Sequence, residues 1–92
     1  MAYDYCVYVL QIEDNPRYVY VGQTYLTPEE RLVQHLTGYK SARSIRHAKY
    51  LTLRPDIYEQ LPRLKTREQV LEVEARLASS LRSIGYNVEG GH

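Results

Sequence analysis

Between residues 3 and 12, Tyr3, Tyr5, Val7 and Val9 alternate with Cys6, Tyr8, Leu10 and Ile12, so both faces of the segment are apolar or aromatic. A strand of that kind belongs in the middle of a sheet. Glu13-Asp14-Asn15-Pro16 supplies turn residues, and Arg17 to Gly22 resumes a run of Tyr and Val, which predicts an antiparallel hairpin ending at Gly22. Thr27-Pro28-Glu29-Glu30 carries a capping hydroxyl, a proline suited to the first helical position and a glutamate to close the box. A helix is predicted from Pro28 to Leu36, with Gly38 just past its end.

From Lys40 to Tyr50 the apolar residues Ala42, Ile45 and Ala48 recur at three-residue spacing among basic side chains, predicting a second, short basic helix. Leu51, Leu53 and Ile57 then alternate across Pro55, consistent with an edge strand over Leu51 to Leu61, because proline cannot donate to a ladder. Thr66-Arg67-Glu68-Gln69 is another capping box, and Val70, Val73, Leu77, Leu81 and Ile84 carry its helix to Gly85. The expected fold is α/β: a small three-stranded antiparallel sheet flanked by helices, in the order β-β-α-α-β-α, with no repeat or linker.

Length limits this architecture to one domain over residues 1–92, which buries roughly two-thirds of the unfolded surface and holds a modest core without staples. A single cysteine, Cys6, excludes an internal disulfide framework and points to a reducing, cytoplasmic setting. The longest apolar run, Tyr5 to Leu10, is far short of the ~20 residues of a membrane helix and follows no basic leader, so no membrane association is expected. Ten Tyr stand beside no Phe and no Trp, so every aromatic ring brings a hydroxyl, which hints at a polar cleft.

The net charge of +1 conceals an uneven layout. Residues 1–30 set Arg17 against five carboxylates, residues 31–65 set eight Lys and Arg against Asp56 and Glu59, and the remainder is nearly balanced. A basic middle suits a polyanion, although most such clusters are only solvated faces.

Three groups of residues do not fit a purely structural pattern. Glu74 falls on the same line of the last helix as Val70, Leu77 and Leu81, whereas Glu72 projects to the polar side with Arg76 and Ser79. An ionised carboxylate in a core-facing row is costly unless paired or bound to a cation, so Glu74 is a candidate metal ligand or buried acid. A stripe edge that reaches solvent, or a pairing with arginine, accounts for it equally well. Arg31 and His35 are four apart, neighbours on one helix face, and could act together; an exposed arginine beside a half-buried packing histidine is the plainer reading. Tyr8 and Tyr20 lie on the paired strands, and Gly22 at the strand end leaves room for close approach of a ligand.

One resemblance joins these residues. Cys6-Val7-Tyr8 and Tyr20-Val21-Gly22, separated by eleven residues, resemble the paired tripeptides that name the GIY-YIG nucleases. Arg31, His35, Glu74 and Asn87 follow in the order found in members such as the incision domain of bacterial excision repair, intron homing endonucleases and some restriction enzymes. The resemblance runs from Cys6 to Asn87, almost the whole chain. The chain departs from the pattern in two places: Cys6 and Val7 stand where the name has Gly and Ile, the valine a mild change and the bulkier cysteine expected to narrow the cleft, and Gln23 stands where some members carry Lys.

The resemblance implies a metal-dependent endonuclease that hydrolyses phosphodiester bonds in DNA with little intrinsic sequence specificity. It assigns Glu74 to one divalent cation per site, Mg²⁺ or Mn²⁺, and Arg31 to the phosphate. It assigns Tyr8, with Tyr20 alongside, to the attacking water, His35 to the proton that a phenol cannot hold off by itself, and Asn87 to fixing the phosphate or Glu74. Gly22 would let the strand approach, and Lys40, Arg43, Arg46 and Lys49 would contact its backbone. RNA and branched DNA remain alternative substrates, and a partner protein or a homodimer would supply selectivity. The competing reading is a nucleic-acid-binding module of the same fold without catalysis.

Overall fold

The computed structural model describes residues 4–91; Tyr3, the first residue of the predicted strand, lies outside them. Strand β1 spans Cys6–Ile12 and pairs antiparallel with β2, Tyr18–Thr24, in a register that sets Tyr8 opposite Gly22 and Leu10 opposite Tyr20. Every residue of β1 except Gln11 is buried, as expected of a strand without a polar face. The intervening turn is held by the Arg17 backbone N–H donating to Asn15 Oδ1 at 3.0 Å.

Both capping boxes form. Thr27 opens α1, Pro28–Thr37, and Thr66 opens α3, Arg67–Ser83; in each the threonine hydroxyl accepts from the third helical N–H while that residue's side chain reaches back to the cap. Helix α1 ends one residue beyond its predicted limit, where Gly38 adopts a left-handed conformation.

Between these helices the chain departs from the sequence reading. The basic segment makes only a single 3₁₀ turn, Arg43–Ile45, that buries Ile45. Recurrence at every third position suits three residues per turn, Ala42 offers no capping side chain, and Lys40, two residues before it, sits at φ 50°. The predicted edge strand shrinks to β3, Leu51–Leu53, because Pro55 opens a short helix, α2, Pro55–Tyr58, instead of interrupting a strand. Ile57 therefore meets the core from a helix.

The largest correction concerns the sheet. A fourth strand, β4, Asn87–Gly90, pairs parallel to β2, giving a mixed sheet of order β3-β1-β2-β4 rather than three antiparallel strands. Returning parallel to β2 requires a long crossover, and α1, β3, α2 and α3 all lie within it. The element order is thus β-β-α-β-α-α-β, still α/β with helices around one sheet. Val9, Leu10, Val19, Val21 and Val70 are fully buried at the centre of the core, each contributing about 1.5–3 kcal/mol of apolar transfer. No helix among the described residues is long and apolar enough to cross a membrane.

Candidate functional site

The β1–β2 register places Tyr8, Tyr20 and Gly22 on one face, since cross-strand partners share a side of the sheet. Gly22 is required there. A Cβ at this position would fall 2.7 Å from both Tyr8 Oη and Tyr20 Cε1. Gly90 of β4 meets the other edge of the same ring, where a Cβ would lie 2.9 Å from Tyr20 Cε2, so two glycines hold Tyr20 between them.

Helix α1 brings His35 onto the two phenols. Its ring centroid lies 5.9 Å from that of Tyr8 and 5.6 Å from that of Tyr20, which are 6.2 Å from each other. His35 Nε2 makes a buried 2.7 Å hydrogen bond with Tyr8 Oη, and Nδ1 lies 3.2 Å from Ser41 Oγ. One turn earlier Arg31 donates through Nη1 to Gln34 Oε1 at 2.8 Å and through Nη2 to the Lys40 carbonyl at 2.7 Å. The guanidinium is thereby fixed against the loop that follows α1.

Glu74 comes from α3, with only 4% of its surface exposed, flanked in the helix by buried Val70 and Ala78. It is not an edge residue turned to solvent. Its charge is felt by both phenols, and Arg31 acts on them with the opposite sign. Burial first, then repulsion from Tyr20, pushes Tyr8 well above the ordinary phenol value, while Arg31 pulls it back. Burial and then Glu74 raise Tyr20. His35 moves the other way, down to about 4, through burial and then the neighbouring Arg31 cation. At neutral pH the site therefore holds two un-ionised phenols against a neutral imidazole that retains one acceptor nitrogen.

The remaining sequence candidates disperse. Lys40 lines a cleft together with Arg31, and Arg43 lines a second one with Tyr20 and Glu89. Arg46 and Lys49 are exposed and line neither. Asn87 is exposed at the start of β4, opposite Tyr18, at the far end of β2 from Gly22. Cys6 is buried opposite Thr24 with its thiol directed at the Leu26 carbonyl, and burial pushes that thiol up. Ser41 and Gly90, absent from the sequence reading, join the site through a loop and a strand whose return to β2 no periodic pattern announces.

Among the described residues no group of three or more His, Cys, Asp and Glu side chains converges into a protein cage for a metal. A single buried carboxylate beside two phenols fits instead a cation such as Mg²⁺, which binds through one or two carboxylates and fills its shell with water and substrate phosphate. A carboxylate, a guanidinium, two phenols and a neutral imidazole, delivered by β1, β2, α1 and α3, form a set able to hold a phosphate and move a proton near it.

The family model described as the GIY-YIG catalytic domain matches residues 4–87, nearly the whole chain. Comparison with curated proteins and with solved structures gives no match.

Proposed function

The chain belongs to the GIY-YIG family, and from that premise we propose that it is a divalent-metal-dependent endonuclease that hydrolyses phosphodiester bonds in DNA. Nuclease activity is general to the family, as is a need for divalent metal. One observation carries the extension to this chain: Glu74, buried on α3, acts through its charge on the same phenol pair that His35 and Arg31 approach from α1.

In this reading Glu74 holds the cation, which when bound neutralises charge on the phosphate and on the leaving oxygen. Arg31 braces a non-bridging oxygen with donors already oriented by Gln34 and the Lys40 carbonyl. With the imidazole proton on Nδ1, toward Ser41, His35 Nε2 accepts from the Tyr8 hydroxyl, which leaves the phenol oxygen to accept from the attacking water. As that water loses a proton to Tyr8, Tyr8 passes its own to His35, whose imidazole is un-ionised at neutral pH and so offers Nε2 to the proton. Tyr20, held between Gly22 and Gly90, fills the opposite side of the water's position. The basic stretch after α1 supplies salt-sensitive contacts to the backbone and no base readout, so sequence preference is weak.

Supercoiled plasmid incubated with the purified chain tests the reading. Nicking is expected with Mg²⁺ or Mn²⁺ and none in excess chelator; undiminished nicking in chelator would exclude the cation, and binding without cutting under every metal would identify a binding module. Arg31→Ala is expected to lower kcat about 10²-fold or more at saturating substrate.

A further inference from the structure

Beside the phenol pair, the end of β2 and α1 border a space of whose walls the proposed reaction uses only Arg31. A cleft of about 240 Å³ opens among Gln23, Tyr25, Arg31, Gln34, Tyr39 and Lys40. Tyr25 and Tyr39 leave 59% and 57% of their surface exposed, yet neither ring is untethered. Tyr25 makes an edge contact with Tyr5 at 6.4 Å between centroids, and Lys40 Nζ stands 5.6 Å from the Tyr39 ring centroid. Arg31, which closes one wall, also donates to the Tyr39 and Lys40 carbonyls and so fixes the loop that presents Tyr39. Gln34 spends its Oε1 on Arg31, which leaves its amide NH₂ as a donor.

Size and chemistry narrow the ligand. The volume is below the ~300–1,000 Å³ that holds a drug-sized molecule and suits one planar heterocycle. Phenol rings offer stacking faces, side-chain amides match the polar edge of an unpaired base, and Arg31 and Lys40 suit the phosphate joined to it. A base inside a duplex has its faces stacked and its edge paired, so it cannot enter. An apolar peptide side chain would leave the amides and cations without use. Arg31 belongs both to this wall and to the phosphate position of the proposed reaction, which ties the cleft to the strand being cut.

We infer that this cleft receives a single unpaired nucleobase whose neighbouring phosphate lies at Arg31, so the favoured substrate is a single strand or a duplex with an unpaired nucleotide beside the cut. The inference rests on the nuclease reading for its substrate, and the test separates the two. Wild-type protein in excess chelator, so that nothing is cut, is titrated into a strand of abasic residues carrying one 2-aminopurine, and into the same strand without any base. The base-bearing strand is expected to bind about tenfold more tightly, with quenching of its fluorescence. Tyr39→Ala, alone and combined with Tyr25→Ala, is expected to abolish both effects, and the Tyr→Phe pair to keep them. Moving the 2-aminopurine into a fully paired duplex is expected to remove the quenching, and an unpaired bulge to restore it. Equal affinity for the two abasic strands, or quenching untouched by both alanine variants, overturns the inference. Plasmid nicking with Mg²⁺ is scored separately: cutting without base capture removes the cleft proposal alone, and base capture without cutting removes the nuclease alone.

Discussion

At the scale of single residues the site turns on contacts too close for alternatives. Gly22→Ala would drive a methyl group into Tyr8 Oη and Tyr20 Cε1, forcing the phenols apart. We expect it to cost about 1–3 kcal/mol in denaturant unfolding and to reduce cleavage far more than that loss explains. A rate unchanged from wild type would show that the phenols need not meet there. His35 gives a second expectation through pH. Its imidazole titrates near 4 in the folded chain against 6.5 ordinarily, so between these values the unfolded chain takes up a proton that the folded one refuses. Stability is therefore complete above about pH 6.5 and declines as pH falls toward 4. Denaturant midpoints across that range should fall more steeply for wild type than for His35→Gln, and parallel curves would contradict a neutral, buried imidazole. Tyr8, Tyr20, Arg31, His35 and Glu74 stand out singly through strand and helix spacing, but only the resemblance to the GIY-YIG nucleases joins them, because no periodicity tells that α1, α3 and the hairpin meet. Ser41 was not, since its hydroxyl reaches His35 only through the path of a loop.

Elements with their own punctuation were equally legible. Thr27 and Thr66 each announce a helix start through a capping box, and both boxes form. Thr66→Ala should lower stability by about 1 kcal/mol, measured by denaturant unfolding, with Thr66→Ser recovering most of it. Shorter elements gave no comparable signal. Strand β4 has only Val88 as a buried apolar residue, and its partner β2 lies more than sixty residues away, so neither alternation nor a turn could reveal it. The sequence reading puts Pro55 in an edge strand, but a proline's fixed φ also suits a first helical turn, and in the structure it opens α2. Strand β4 nevertheless matters to the site. Gly90 sits at φ 74°, with its missing side chain against the Val21 carbonyl and the Tyr20 ring. Gly90→Ala is expected to destabilise by about 2 kcal/mol or more and to loosen Tyr20, visible as a lowered melting temperature together with slower cleavage. A variant as stable as wild type would show that β4 can shift without cost.

For the molecule as a whole, the sheet serves as a frame on which α1 and α3 deliver opposite charges to one phenol pair. Of the cations gathered between residues 31 and 65, Lys40 and Arg43 line its two clefts, while Arg46 and Lys49 line neither. Binding should weaken steeply with salt, and Arg43→Ala should reduce the slope of log affinity against log salt by about 0.7–0.9, the value of one phosphate contact. Fluorescence polarisation across a salt series measures it, and an unaltered slope would place the strand elsewhere. The central claim is that the buried carboxylate of α3 serves the chemistry rather than the fold. Single-turnover cleavage of a labelled DNA by Glu74→Gln, at saturating protein and Mg²⁺ and alongside its thermal melt, tests this most directly. A rate reduced by about 10²-fold or more in a variant that melts as wild type is the predicted result; cleavage at the wild-type rate by that folded variant would contradict the account.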